Sequence, residues 1–247
     1  MLVKSVAFED ANTLVTTGSD NRQIHWDVGY PLQPRKISEG TGASRLYSLA
    51  SHGDVDATAG GDNTVVLWNV PSGTPIGKPL TGHNNSVSAA AFSFDGKVLA
   101  AGSTDGTTIL WNIADPDHPL PIGQPLGQNK QVTALAFSPD GTKLVAGTST
   151  GSTFVWDITD PNQPRQVGRQ LDGHRMAVNS AAFAPNGTVL ATASSDGTTI
   201  LWDMALLDDA VARACSVAGG GLSPFEWQQY LPALAYRDTC ARQENQR

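Results

Sequence analysis

The 247-residue sequence predicts an all-β fold of about five four-stranded antiparallel blades with a short α-helical C-terminal tail. Three observations predict it. Five of the six tryptophans, at 26, 68, 111, 156 and 202, recur at spacings of 42, 43, 45 and 46 residues. Six residues before each stands Asp20, Asp62, Asp105, Thr150 or Asp196. The apolar segments Val87–Phe92, Val132–Phe137 and Val178–Phe183 recur upstream, and each runs into a turn: Ser93-Phe-Asp-Gly96, Ser138-Pro-Asp-Gly141 and Ala184-Pro-Asn-Gly187.

Each period therefore reads as an inner strand, an Asp/Asn-Gly turn, a second strand, an Asp-centred turn, and a third strand ending in Trp. Asp-Gly and Asn-Gly supply the positive-φ residues of tight hairpins, and apolar runs of about five residues between them read as strands. A Pro/Gly-containing stretch then leads to a weaker fourth strand, such as Pro75–Leu80 or Gln166–Leu171. Four short antiparallel strands per period of about 40–45 residues describe one blade of a β-propeller. A helical solenoid is excluded by the β-branched residues and Gly turns, and by the lack of helix-length periodicity before residue 204.

These residues resemble the WD-repeat family over residues 1–204. The fullest copies carry Gly82-His83 with Asp105 and Trp111, and Gly173-His174 with Asp196 and Trp202. The resemblance implies a circular propeller, a non-catalytic scaffold and other proteins as partners. It also implies a structural hydrogen-bond network of His83, Ser103, Asp105 and Trp111, repeated as His174, Ser194, Asp196 and Trp202. In it, Asp and Ser bond the His of the preceding loop, and the Ser reaches the indole N–H. Ser, His and Asp could otherwise be read as a hydrolase triad. A set that occurs twice is explained better as a satisfied buried polar network than as an active site. Repeat four departs from the pattern, with Gln128-Asn129 in place of Gly-His and Thr150 in place of Asp. Repeat two has Gly60 for the Ser and no matching His.

Composition narrows the function classes. Lys and Arg total 16 against 23 Asp and Glu, a net charge of −7, and the cations are scattered singly. A nucleic-acid binder needs a basic stripe to neutralise phosphates, so nucleic acid is set aside. No apolar run approaches bilayer length, and no signal peptide is legible in the first residues, so a soluble, cytoplasmic chain is expected. No cofactor, catalytic residue or metal site is expected. His25 and His118 look isolated, His52 falls in a turn, and Asp115-Pro-Asp-His118 reads as a solvated turn. The expected contact surface is a rim of loops between outer and inner strands, carrying Arg45, Asn85, Lys130 and Arg175.

Residues 205–247 are expected to form a helical extension. Asp203 can cap a helix to about Val217, Gly219-Gly-Gly221 ends it, and Ser223-Pro-Phe-Glu226 is a capping box opening a second helix through Leu231. Cys215 and Cys240 bracket this unit, either bridged or free. The tail resembles the ends of multidomain actinobacterial WD-repeat proteins, which implies the sensing or binding end of a larger signalling protein. Val3–Phe8 reads as an inner strand with no preceding outer strand. A fragment of a longer chain is favoured over an imperfect seam or pairing with a second chain.

Overall fold

A computed structural model describes residues 2–205. The chain divides into two compact units, Met1–Trp202 and Asp203–Arg247. The expected helices, Cys215 and Cys240 lie outside the described residues.

The first unit consists of five antiparallel sheets in sequence order. Sheet one comprises β1 (Val3–Phe8), β2 (Thr13–Gly18), β3 (Arg22–Asp27) and β4 (Arg35–Thr41). Sheet two comprises β5 (Leu46–His52), β6 (Val55–Gly60), β7 (Val65–Asn69) and β8 (Thr74–Leu80). Sheet three comprises β9 (Val87–Phe92), β10 (Val98–Ser103), β11 (Thr107–Asn112) and β12 (Leu120–Gly127). Sheet four comprises β13 (Val132–Phe137), β14 (Lys143–Thr148), β15 (Thr153–Asp157) and β16 (Arg165–Gln166). Sheet five has three strands among the described residues: β17 (Val178–Phe183), β18 (Val189–Ser194) and β19 (Thr199–Asp203).

The first hairpin of sheets three, four and five follows from its turn residues. Gly96, Gly141 and Gly187 hold φ of 69°, 71° and 72°, values that cost glycine nothing. Each glycine N–H donates back to the residue three before it. The fourth strand is weaker for a local reason. Between Leu67↔Ile76 and Val65↔Leu80 the outer strand carries extra residues around Gly77, at φ 58°. The same bulge recurs at Gly123. In sheet four it interrupts pairing after Gln166, which leaves a two-residue strand and an isolated bridge, Thr153↔Leu171, where a longer strand was expected.

The innermost strands are neighbours in the order β1, β5, β9, β13, β17. Hydroxyls tie them together: Thr133 Oγ1 donates to Val178 O (2.6 Å), and Ser48 Oγ accepts from Ala90 N (3.1 Å). Between sheets, Leu67 and Leu110, each the residue before a tryptophan, and their neighbours form the core. Leu67, Val87, Leu99 and Trp111 share one cluster, and Leu110, Leu126, Leu144 and Ile158 another. Area burial of this kind stabilises by roughly 25 cal/mol per Å² of apolar surface. The two ends of the series differ. Leu201 is 69% exposed, whereas its counterparts Leu67, Leu110 and Val155 are at 1%, 2% and 0%. At the other end Val6 and Phe8 are exposed on β1.

Candidate functional site

Each tryptophan anchor is built by strand register. In sheet two Asp56 pairs with Trp68 and Thr58 with Val66, so Thr58 is the diagonal neighbour of the indole. Trp68 Nε1 donates to Thr58 Oγ1 at 2.8 Å. Trp26 donates in the same way to Thr16 (3.0 Å), and Trp202 to Thr192 (2.9 Å).

In sheet five this anchor extends into a relay. His174 Nε2 lies 2.8 Å from Thr192 Oγ1, and His174 Nδ1 lies 3.2 Å from Asp196 Oδ2. With the proton on Nδ1, every group is satisfied: the indole donates to Thr192, Thr192 to His174, and His174 to Asp196. Asp196 also accepts from Arg175 N (2.8 Å), Thr198 N (2.9 Å) and Thr198 Oγ1 (2.6 Å). The Thr198 hydroxyl and the Arg175 N–H hold its carboxyl far below the usual carboxylate range. The aspartate therefore fixes the loop that carries Arg175.

Sheet three repeats the upper half only. His83 Nδ1 lies 3.2 Å from Asp105 Oδ2, and Asp105 accepts from Asn84 N (2.8 Å). Position 101 is alanine, however, so His83 Nε2 meets Ala101 O at 3.1 Å and no hydroxyl links it to Trp111. Sheet four uses a single side chain. Gln128 is four residues before Val132, as His83 and His174 are before Val87 and Val178. The loop is one residue shorter, which puts Gln128 rather than Asn129 at the histidine's place. With its amide oriented so that both ends are satisfied, the oxygen accepts from Trp156 Nε1 at 3.3 Å and the NH2 donates to Leu126 O at 2.8 Å.

The serines require a correction. Ser194 Oγ donates to Met176 O (3.0 Å) and accepts from Asp196 N (3.1 Å). Ser103 Oγ donates to Asn85 O (2.9 Å) and accepts from Asp105 N (3.0 Å). Neither bonds the histidine or the indole. In sheet five the residue in contact with both is Thr192, two positions earlier, because side chains at i and i+2 share a sheet face and only the earlier one lies diagonal to the tryptophan. The same geometry removes the serine–histidine contact that the Ser-His-Asp reading requires.

The rim residues occupy equivalent loops before successive inner strands. Arg45, Asn85, Lys130 and Arg175 are all exposed. Three of their backbones are held: Arg45 O accepts from Gly61 N at 2.9 Å, Asn85 O accepts from Ser103 Oγ at 2.9 Å, and Arg175 N donates to Asp196 Oδ2 at 2.8 Å. Among the described residues none of the three cations forms an ion pair.

One histidine that looks isolated in sequence is not isolated in space. His25 Nδ1 lies 2.7 Å from Glu9 Oε1, and His25 Nε2 lies 3.8 Å from Asp56 Oδ2. All three side chains are at most 4% exposed. Gln23 Nε2 donates to Asp56 Oδ2 and lies 3.1 Å from His25 Nε2. Burial pushes the Asp56 carboxyl up to about 7, raises Glu9 and lowers His25. The signal was readable in the repeat itself. His25 stands where other blades have Leu67, Leu110 or Val155, and Asp56 where they have Leu99, Leu144 or Leu190. His118, by contrast, lies 3.0 Å from Asp115 in an exposed turn.

Comparison with known proteins agrees with this geometry. Residues 73–112, 121–157 and 165–203 match the WD domain, G-beta repeat family model. The chain thus carries WD40 repeats, and its five antiparallel sheets are an architecture consistent with a WD40 propeller. Each matched segment begins on the outer strand of one sheet and ends on the tryptophan strand of the next. Among curated proteins, the small ribosomal subunit protein RACK1y of Oryza sativa subsp. japonica is 41% identical over 54 residues, 22% of this chain and 16% of its own length. WD repeat and HMG-box DNA-binding protein 1 of Xenopus laevis is 36% identical over 101 residues, 40% of this chain and 9% of its own. The coronin-like protein of Saccharomyces cerevisiae is 30% identical over 120 residues, 41% of this chain and 18% of its own. The chain therefore covers less than a fifth of these relatives.

Proposed function

We propose that the protein is a non-enzymatic platform for binding other proteins, acting in the cytoplasm as the sensing or binding end of a larger signalling protein. The observation that carries this reading is the rim. Arg45, Lys130 and Arg175 project from equivalent loops of three blades, without ion-pair partners among the described residues, and the backbones of Arg45 and Arg175 are held by hydrogen bonds. Rigid presentation lowers the ordering cost of association, and unpaired cations suit an acidic protein surface. The acidic balance of the chain and the lack of a basic stripe favour protein over nucleic acid as the partner. No helix among the described residues is long and apolar enough to cross a membrane.

A second reading is favoured by the bare apolar faces at Leu201 and at Val6 and Phe8: the chain is one part of a larger assembly and has no independent role. Light scattering on the purified chain separates the two. A monodisperse, cooperatively melting species supports the platform, and concentration-dependent aggregation supports the second reading. For the platform itself, the test is affinity recovery of partner proteins by the immobilised chain, compared with an Arg45→Ala/Lys130→Ala/Arg175→Ala variant. Loss of the recovered proteins is expected, and unchanged recovery rejects the rim.

A further inference from the structure

The structure assigns to Glu9, His25 and Asp56 a binding site for one divalent first-row transition cation, held between the first and second blades. Three departures from the repeat converge there. Glu9 follows β1 where Ser93, Ser138 and Ala184 follow the inner strands of other blades. His25 and Asp56 each replace an aliphatic residue that elsewhere seals one blade against the next. Sheet one supplies the first two residues and sheet two the third.

The arrangement lacks the partners that would make it self-sufficient. Both Glu9 carboxylate oxygens, Asp56 Oδ1, His25 Nδ1 and Gln23 Oε1 are buried without a hydrogen-bond partner. His25 Nδ1 lies 2.7 Å from Glu9 Oε1, an ion-pair distance, but outside hydrogen-bond geometry. One donor atom from each of the three residues lies within 4.8 Å of the others. Ligands bound at about 2.1 Å in a tetrahedral shell are about 3.4 Å apart, so small adjustments suffice. A dication would neutralise two carboxylates that otherwise share a buried site, whose desolvation is costly without compensation. Mixed imidazole and carboxylate donors suit Zn2+ or Mn2+ better than Ca2+. A cavity of about 380 Å³, lined by Glu9, His25, Asp10, Thr13 and Asp54, gives the ion a route from solvent. The consequence is structural: a cation would clamp the blade interface that lacks the leucine seal.

The test uses the full chain, stripped with chelator and titrated with Zn2+ by calorimetry, and with Co2+ by absorption. One equivalent of Zn2+ is expected to bind and raise the melting temperature. His25→Leu and Asp56→Leu restore the residue type of the other blades, and each is expected to weaken binding at least about 100-fold, more than the loss of an outer-shell partner does. His118→Ala is expected to leave binding unchanged. The Co2+ complex is expected to show no thiolate charge-transfer band, which would exclude Cys215 and Cys240 as its ligands. If the variants fail to fold, the wild-type stoichiometry and Co2+ spectrum decide. A folded wild-type chain that binds no stoichiometric Zn2+ overturns the site and leaves shared protons as its occupants. So does binding that survives both leucine variants, or a Co2+ spectrum with thiolate character.

Discussion

The Trp68 indole donates to Thr58 Oγ1 at 2.8 Å, across the diagonal between two neighbouring strands. That bond is the repeating unit of the molecule, since Trp26–Thr16 and Trp202–Thr192 reproduce it. Where the threonine is missing, the blade substitutes something else: the longer Gln128 in sheet four, and a histidine bonded to a backbone carbonyl in sheet three. The ring nitrogens and carboxylates around it then fix the loops on the rim.

Replacing Thr192 by Val removes the hydroxyl at nearly constant shape and leaves both the Trp202 N–H and His174 Nε2 without their partner. A loss of about 1–3 kcal/mol is expected by urea denaturation. Ser194→Ala is expected to cost less, because its hydroxyl serves only the turn. Equal losses would put the serine back into the relay.

Ala101→Thr supplies the hydroxyl that sheet three lacks between His83 and Trp111. With Thr16, Thr58 and Thr192 accommodated at the equivalent places, a gain of about 0.5–1.5 kcal/mol is expected. A loss would mean that the buried site around Ala101 is too tight for the added atoms.

Acid should unfold these blades through their turn aspartates. Asp196 is held low by the Thr198 hydroxyl and the Arg175 N–H. Burial opposes the charge of Asp105, but the Thr107 hydroxyl, the N–H groups of Asn84 and Thr107, and His83 outweigh it. A depressed folded pKa contributes stability that is complete above the unfolded value, about 3.9, and disappears as pH falls through the folded value. Melting temperature is therefore expected to fall with pH below about 4, and less steeply in Asp196→Asn. A wild-type profile flat in this range would contradict it.

The triple substitution Glu9→Ser/His25→Leu/Asp56→Leu gives the first blade interface the residue types of the others. Replacing buried charges with apolar groups of similar volume is commonly neutral or stabilising by about 1–4 kcal/mol. In the presence of chelator the variant is expected to be at least as stable as the wild type by urea denaturation. A clear loss would show that the polar cluster stabilises the metal-free fold.

Much of the fold was legible because each element announces itself locally. Val3–Phe8, Val87–Phe92, Val132–Phe137 and Val178–Phe183 are strands with those bounds, since apolar runs between glycine turns leave little freedom of register. The relay was half legible. Asp and His are marked by their loops, but Thr192 and Ser194 share one sheet face, and only strand register distinguishes them. The Glu9–His25–Asp56 cluster was legible only as departures from the repeat at His25 and Asp56, not as a constellation. Its members are singletons along the chain and meet only because sheets one and two pack together.

In the proposed function a rigid hydrogen-bonded frame carries the rim that would meet a partner. The most direct measurement compares the Arg45→Ala/Lys130→Ala/Arg175→Ala variant with Thr192→Val in both melting temperature and partner recovery. The rim variant is expected to melt like the wild type and lose its partners, while Thr192→Val is expected to melt lower and, when folded, to retain them. A rim variant that recovers the same proteins as the wild type would contradict the proposed function.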